Sequence, residues 1–448
     1  MKTTPLSPAE IELLVESIHQ MHIKDLGTRQ WIDWHKRAHE IYQEALKEIH
    51  LASKGKDGDF EKRHIPLVEA FIKFEKADDI LYEAIEIHYW KFIILPMLLF
   101  LQPNPKSTII VYSLLLQELL CISMLNILLQ HEKTLETMDN HVVDLLEHLV
   151  STCGHLLCRK YSRQSIESPS VELTRLTNNV CFEIGIKSIS CILHFVEHLH
   201  DLPRYVLHHI YRDYDIPMIV IKILRESPWK VGDWEYVSDK WKETAFTSVV
   251  NPTEIEIWHI LMKLLMDDMC PIFYTITELR KDNFVTLLPR ITPVLVEQIP
   301  RAAEFENWIF KTMSSPAKPN PPKAPRFMLP LVEYKDVINM DINIVKGQWL
   351  GIAEIQKPSI LVEDDEQLKE IRQILCEAYN IQLIETSETS PCAKCGNLTG
   401  KKCSKCEKIW YCSNICQIEH WSLHRDNCCS EIVIETKKKE ENSMGDRA

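Results

Sequence analysis

Glycine is scarce, with 11 residues in a chain of 448. Tight hairpins and left-handed turns draw on glycine, so the shortage argues against a hairpin-rich β architecture and favours helices. Runs of alternating Val, Ile and Thr bounded by Asn-Gly or Asp-Gly are missing too, which removes the usual strand signal. There is no excess of positive charge. The formal net charge of −13 opposes nonspecific attachment to nucleic acid or to an anionic membrane. The first thirty residues hold no apolar leader and carry Glu10, Glu12, Glu16, Lys24, Asp25 and Arg29. No Gly-x-x-x-x-Gly-Lys phosphate loop, Gly-x-Ser-x-Gly elbow or Rossmann glycine pattern occurs, so nucleotide binding and serine hydrolysis have no support.

Long apolar runs are few. Phe92–Leu101 is short and contains Pro96. Ile109–Leu129 is long enough to cross a membrane, but Gln117, Glu118 and Asn126 lie inside it. A buried central helix is the expected reading, and no membrane span is expected.

What is present is helical. Ser7-Pro8-Ala9-Glu10 has a capping residue, proline for the first turn and a glutamate that reaches back to the cap amide. Ile11, Leu14, Val15 and Ile18 then share one face. A second run covers Thr28 to Ile49, and others follow at about 66–76, 78–95, 107–131, 134–161, 171–200 and 203–225. Ser53–Asp59, with Gly55 and Gly58, reads as a loop. Ser227-Pro228 breaks the pattern, and Trp229–Trp241 is expected to be a long loop or irregular insertion. Asn251-Pro252-Thr253-Glu254 repeats the logic of the first cap. These patterns predict a mostly α chain: over residues 1–313 a helical repeat of the armadillo or HEAT kind, or an irregular helical bundle. Residues 314–330 are proline-rich and read as a semi-rigid linker. A short helical segment over 331–390 follows, with helices at Leu331–Asp341, at Val345–Ile355 and from Glu363–Glu366 to Tyr379. Residues 430–448 read as a disordered tail.

Two patterns in the helical part resemble sites. His194-Phe195-Val196-Glu197-His198 matches the His-x-x-Glu-His pattern of some zinc peptidases. The apolar residues around it make a packed helix the better reading. Cys153, His155 and Cys158 form a partial ligand set, but buried cysteine is the commoner meaning.

The strongest signal lies between residues 392 and 428. Seven of the fifteen cysteines fall there, as Cys392-x-x-Cys395, Cys403-x-x-Cys406, Cys412-x-x-x-Cys416 and Cys428, with His420 and His424 before the last. A Cys-x-x-Cys pair turns two thiolates toward one point, about 2.3 Å from a shared zinc. Eight donors make two closed sites. Spacing allows consecutive pairing (392/395/403/406 and 412/416/424/428) or interleaved pairing (392/395/412/416 and 403/406/424/428). His420 competes with His424 on one helical row, and Cys429 with Cys428. Few large apolar residues are present, so metal ligation supplies the folding energy of so small a module. Four protein donors per ion leave no open position for catalysis. Thiol-rich ligation and scattered cysteines elsewhere point to a reducing compartment, the cytosol.

This order of ligands, with Tyr411 before Cys412, Gln417, and Trp421-x-x-His424-x-x-x-Cys428, resembles a MYND-type zinc finger. The resemblance implies the interleaved arrangement: one zinc on Cys392, Cys395, Cys412 and Cys416, and one on Cys403, Cys406, His424 and Cys428. His420 and Cys429 are then bystanders. It also implies a shallow groove for proline-containing peptides, lined by Gln417 and Trp421. Some MYND fingers sit in SET-domain lysine methyltransferases, but the Asn-His-Ser-type cofactor motif of those enzymes is missing.

The long helical region, the C-terminal finger, Ser227-Pro228-Trp229, Gly347-x-Trp349 and the terminal Gly445-Asp446-Arg447-Ala448 resemble a family of axonemal dynein arm assembly factors. That resemblance implies a non-enzymatic adaptor for cytoplasmic preassembly of dynein arms. Its partners would be dynein chains, chaperones, co-chaperones and an assembly factor with leucine-rich repeats and a CS domain. Its location would be the cytoplasm, the centriolar satellites or the cilium base. A nuclear corepressor adaptor acting through the same finger is the alternative.

Overall fold

The computed structural model describes residues 6–53, 66–158, 169–243, 249–317, 349–379 and 383–428. The expected loop at Ser53–Asp59, the helix at Leu331–Asp341, most of the proline-rich stretch, Cys429 and the tail lie largely or wholly outside those residues. The described chain is mostly helical, as its shortage of glycine predicts. It opens with α1 (Pro8–Glu16), α2 (Arg29–Ser53), α3 (Pro66–Lys73), α4 (Ala77–Tyr89) and α5 (Leu95–Leu101), followed by α6 (Ile109–Leu128), α7 (Glu132–Met138), α8 (Val142–Cys158) and α9 (Pro169–Glu197). The first cap forms as its sequence dictates. The Glu10 carboxylate accepts from the Ser7 amide at 2.9 Å, and the Glu10 amide donates to Ser7 Oγ.

The helices form one connected apolar core. Its centre is α6, buried along nearly all of its length. Three helical stretches, Ala77–Leu101, Ile109–Leu128 and Leu173–Glu197, are long and apolar enough to cross a membrane by length and composition. In the Ile109–Leu128 stretch 89% of the window is buried inside the protein, so core packing accounts for its apolarity. α4 packs on α6, and α8 and α9 pack on each other and around them. A π-helical turn at Trp90–Ile94 joins α4 to α5. It carries the helix past the boundary expected near residue 95, and Pro96 falls in the first turn of α5, where a missing N–H costs nothing.

Two helices expected to be continuous are broken. The run at 134–161 divides at Asp139, with φ of 41°, between α7 and α8. The run at 203–225 divides at Asp215, with φ of 47°, between α10 (Arg204–His208, continued by a π turn) and α11 (Ile216–Glu226). Asp215, with ψ of 54°, is in the left-handed helical region, which aspartate is among the few non-glycine residues to tolerate. Asp215 is held there by Tyr274 Oη at 2.7 Å and by Arg280.

The segment expected as an irregular insertion is a three-stranded antiparallel meander: β1 (Lys230–Val231), β2 (Trp234–Val237) and β3 (Lys240–Glu243). Its second turn, Ser238-Asp239, has both residues at positive φ, the geometry that matches strand twist. Tryptophan masked the alternation. Trp241 and Tyr236 pack on Phe182 of α9 at centroid separations of 5.4 and 5.0 Å, so aromatic stacking stabilises so small a sheet. α12 (Pro252–Leu265), capped by Asn251, leads through α13 (Cys270–Phe273), α14 (Glu278–Val285) and α15 (Pro293–Gln298) to α16 (Arg301–Ser314). Among the described residues, helix lengths run from 4 to 29 residues.

Beyond the proline-rich stretch, α17 (Trp349–Ile360) and α18 (Asp365–Ala378) return to the N-terminal helices. Gln356 is buried and bridges Trp90 Nε1 (3.0 Å) and the Ile23 carbonyl (2.7 Å). Gly27 sits at φ of 79°, and a Cβ there would lie 2.4 Å from Ile360. Tyr379 Oη and Gln117 hold the ring of buried His35 from both sides, at 2.9 and 2.7 Å. Burial drives the pKa of His35 down to about 4, so the ring is neutral. The residues after α18 are therefore carried on the same body as residues 8–197.

Candidate metal centre and its docking on the helical body

The stretch before the first finger cysteine, expected as the end of the short helical segment over 331–390, is a strand. β4 (Leu383–Pro391) pairs with β5 (Leu398–Cys403), and the two lead into and out of the first ligand pair. The Cys392 amide donates to the Asn397 carbonyl and the Gly396 amide to the Cys392 carbonyl, each at 2.9 Å. Gly396 at φ of 77° allows that turn. The second pair is built the same way, with the Glu407 amide on the Cys403 carbonyl at 2.8 Å. Ser413 Oγ caps α19 (Asn414–Glu419) by accepting from the Cys416 amide. α20 (Trp421–Cys428) follows and supplies His424 and Cys428.

These elements bring together Cys392, Cys395, Cys412 and Cys416 as one group and Cys403, Cys406, His424 and Cys428 as another. Of the pairings that spacing left open, this is the interleaved one. In the first group Cys395 Sγ lies 3.5 Å from Cys412 Sγ, and Cys412 Sγ lies 3.4 Å from Cys416 Sγ. In the second, Cys403 Sγ lies 3.7 Å from Cys428 Sγ and Cys406 Sγ lies 3.6 Å from His424 Nε2. A tetrahedron of zinc–sulfur bonds has edges of about 3.8 Å, so both groups fit zinc. A disulfide needs about 2.05 Å, so these are thiols. Burial opposes ionisation of Cys392, but the amides of Cys395, Cys412 and Lys394 outweigh it and hold the thiol at about 6. A hydrogen bond from Cys428 holds Cys403 lower still, at about 3. Both shifts favour the thiolate that metal requires, whereas burial raises the thiols of Cys406, Cys412 and Cys416, so metal binding must displace those protons. His420 is engaged elsewhere, its Nδ1 2.8 Å from Tyr411 Oη. The module carries two zinc ions, each closed by four protein donors.

Gln417 and Trp421 are placed differently from the groove expectation. Gln417 is 1% exposed and Trp421 6%, so neither is presented on an open surface. Trp421 packs edge-on to His424 at 5.6 Å, with the Lys405 ammonium 5.2 Å from its ring. The reason is the helical body, since α18 packs across α19. Arg372 of α18 pairs with Glu419, and Cys376 Sγ donates to the Asn414 carbonyl at 3.7 Å. Lys405 Nζ donates to the Tyr379 carbonyl, and Arg425 meets both oxygens of Glu183 on α9 at 3.0 Å. Sequence reasoning missed Arg372, Arg425 and Glu183, because 242 residues separate Arg425 from Glu183 and no local pattern marks either.

The two weaker patterns stay apart from the finger. His194 pairs with Glu197 of its own helix at 3.0 Å, and among the described residues no third donor gathers on them. Cys153 is fully buried, its Sγ donating to the Gly185 carbonyl.

Residues 392–428 match the MYND finger family model. The chain is 24% identical to the zinc finger MYND domain-containing protein 10 homologue of Drosophila melanogaster, across 94% of this chain and 98% of that protein. Two Arabidopsis thaliana proteins match over short stretches only. Histone-lysine N-methyltransferase ASHR1 is 43% identical over 53 residues, covering 12% of this chain and 11% of that one. Ubiquitin carboxyl-terminal hydrolase 19 is 46% identical over 43 residues, covering 9% and 6%. No solved structure matches the chain. Short stretches around the finger are thus similar to proteins of several kinds, while nearly the whole chain aligns with the Drosophila protein: residues 392–428 are a MYND finger, on a chain related over nearly its whole length to the zinc finger MYND domain-containing protein 10 homologue.

Proposed function

We propose that this chain is a non-enzymatic adaptor for the cytoplasmic preassembly of axonemal dynein arms. The observation that carries the reading is the extent of the relationship, 94% of the chain against a protein of the same architecture. Both zinc positions in the finger are closed by protein donors, which suits a docking module and gives a substrate no metal site to occupy. The helical body offers apolar side chains to a second partner, among them Leu279, Val285 and Phe310 on α14 and α16, which are 71%, 39% and 53% exposed. Dynein chains, chaperones and an assembly factor with leucine-rich repeats and a CS domain are the partners this reading names. Two separate surfaces on one chain raise the effective concentration of one partner for the other.

The test is removal of the chain from cells that build motile cilia. Axonemes are expected to lack dynein arms, with the dynein heavy chains destabilised in the cytoplasm and an affinity-tagged chain retrieving them with chaperones. Normal arms in its absence, or retention of the chain on chromatin, would instead favour the nuclear corepressor reading.

A further inference from the structure

Outside the finger, three helices of the body aim donor atoms at one point. His88 at the end of α4, Glu118 in α6 and His148 in α8 each place a ligand atom within 4.8 Å of the other two. His88 Nδ1 is hydrogen-bonded to Glu118 Oε1 at 3.0 Å, and an ion bound here would take the place of that proton. Glu118 Oε2 is engaged separately by Lys91 Nζ at 2.6 Å, which fixes the carboxylate and leaves Oε1 facing the two imidazoles. Glu118 and His148 are buried. His148 Nε2 has no hydrogen-bond partner although it is shielded from solvent. A buried nitrogen left without a partner is destabilising, so the group calls for an occupant at this point. The backbone is distorted here as well: the π turn at Trp90–Ile94 begins two residues after His88 and contains Lys91. Such turns recur at functional sites.

We propose that His88, Glu118 and His148 form a third metal site, for a divalent ion of the zinc type, at the centre of the helical body. Two imidazoles and a carboxylate are a borderline donor set that suits zinc better than calcium or magnesium. Lys91 is the outer group that orients the carboxylate. His155, one heptad beyond His148 with its ring 5.7 Å from that of His88, or solvent completes the coordination. An ion here ties α4, α6 and α8 together at their most polar crossing. The ammonium of Lys91 opposes a dication, so this site fills after the two thiolate sites.

Elemental analysis of the intact full-length chain tests this directly, followed by cobalt(II) titration of the metal-free chain. Three ions per chain are expected. The first two cobalt equivalents bring the near-ultraviolet thiolate charge-transfer absorption, and the third adds visible absorption with no further thiolate band. His148→Gln lowers the count from three to two and abolishes only that last step. His88→Asn, at a partly exposed position, does the same where the first variant folds poorly. Saturation of the wild-type chain at two ions, with the thiolate bands complete, overturns the proposal and leaves a water molecule as the occupant. A third ion that persists in both variants overturns it equally.

Discussion

The finger and the helical body solve the same physical problem by opposite means. The body buries apolar surface: Trp31, Trp34, Trp90, Trp229 and Trp258 are all buried nearly completely, and the hydrophobic effect holds them. The finger buries mainly its own ligands and a few rings, Tyr411 and Trp421 among them. So small a unit cannot bury enough, and two metal ions take the place of a core. A region held by a few strong bonds to specific atoms shows those atoms in its sequence. A region held by many weak contacts shows only a period.

The sharpest way to break this comparison is to remove metal. A strong chelator, or Cys403→Ala, is expected to unfold residues 392–428, since structural zinc contributes about 10–16 kcal/mol to such modules. The helices from α1 to α16 should persist. Far-ultraviolet circular dichroism read beside the zinc count checks this: most helical signal survives while zinc is lost. Global loss of helix would mean that the finger also holds up the body.

Legibility follows the same division. Cys392, Cys395, Cys403 and Cys406 were readable because covalent spacing alone brings each Cys-x-x-Cys pair to one point, while the choice of His424 over His420 and of Cys428 over Cys429 rested on the family resemblance. Their pairing was not readable, because it depends on how β5 (Leu398–Cys403) and α20 cross in space. In the body, the caps at Ser7 and Asn251 were readable because each acts within three residues. The breaks at Asp139 and Asp215 were not. An aspartate in the left-handed region looks no different in sequence from one on a solvated helix face, and only Tyr274 and Arg280, about sixty residues away, hold Asp215 there. The meander at 230–243 was hidden because its stability comes from Phe182 of another element. The His88, Glu118 and His148 group was invisible for the same reason.

A smaller effect sharpens the comparison through pH. Glu83 is fully buried in the body, and burial raises its carboxyl to about 7, although the Met21 amide and Trp31 Nε1 donate to it at 3.1 and 3.2 Å. A folded value above the unfolded one means that folding holds a proton. Stability from this group is therefore full below about pH 4.5 and declines as pH rises toward 7. Glu83→Gln should remove that slope and stabilise the body at neutral pH by up to about 3 kcal/mol relative to the wild type. The finger behaves in the opposite sense, because acid protonates its thiolates and releases zinc. Denaturant midpoints of the two chains at pH 5 and pH 7 measure the difference. An equal gap at both values would mean that Glu83 is ionised in the folded chain.

The smallest expected effect concerns the contact between the two regions. Arg372 and Glu419 are 13% and 23% exposed, so their ion pair is worth about 1 kcal/mol rather than the several expected of a fully buried one. Arg425 with Glu183, 29% and 14% exposed, is of the same order. Neither pair should matter to the stability of either region, but together they hold the finger, in which Gln417 and Trp421 are buried, on the helical body, α19 against α18 and α20 against α9. Arg372→Glu combined with Glu183→Lys places like charges at both contacts. The double variant is expected to keep its zinc and its melting temperature. It should increase hydrogen exchange across residues 414–428 and strengthen binding to a proline-containing peptide by about tenfold, since about 1.4 kcal/mol of closing energy no longer opposes opening. Unchanged exchange in the variant would mean that apolar packing of α18 on α19, not charge, holds the finger closed. In that case the finger shares the body's means of stabilisation along this one face.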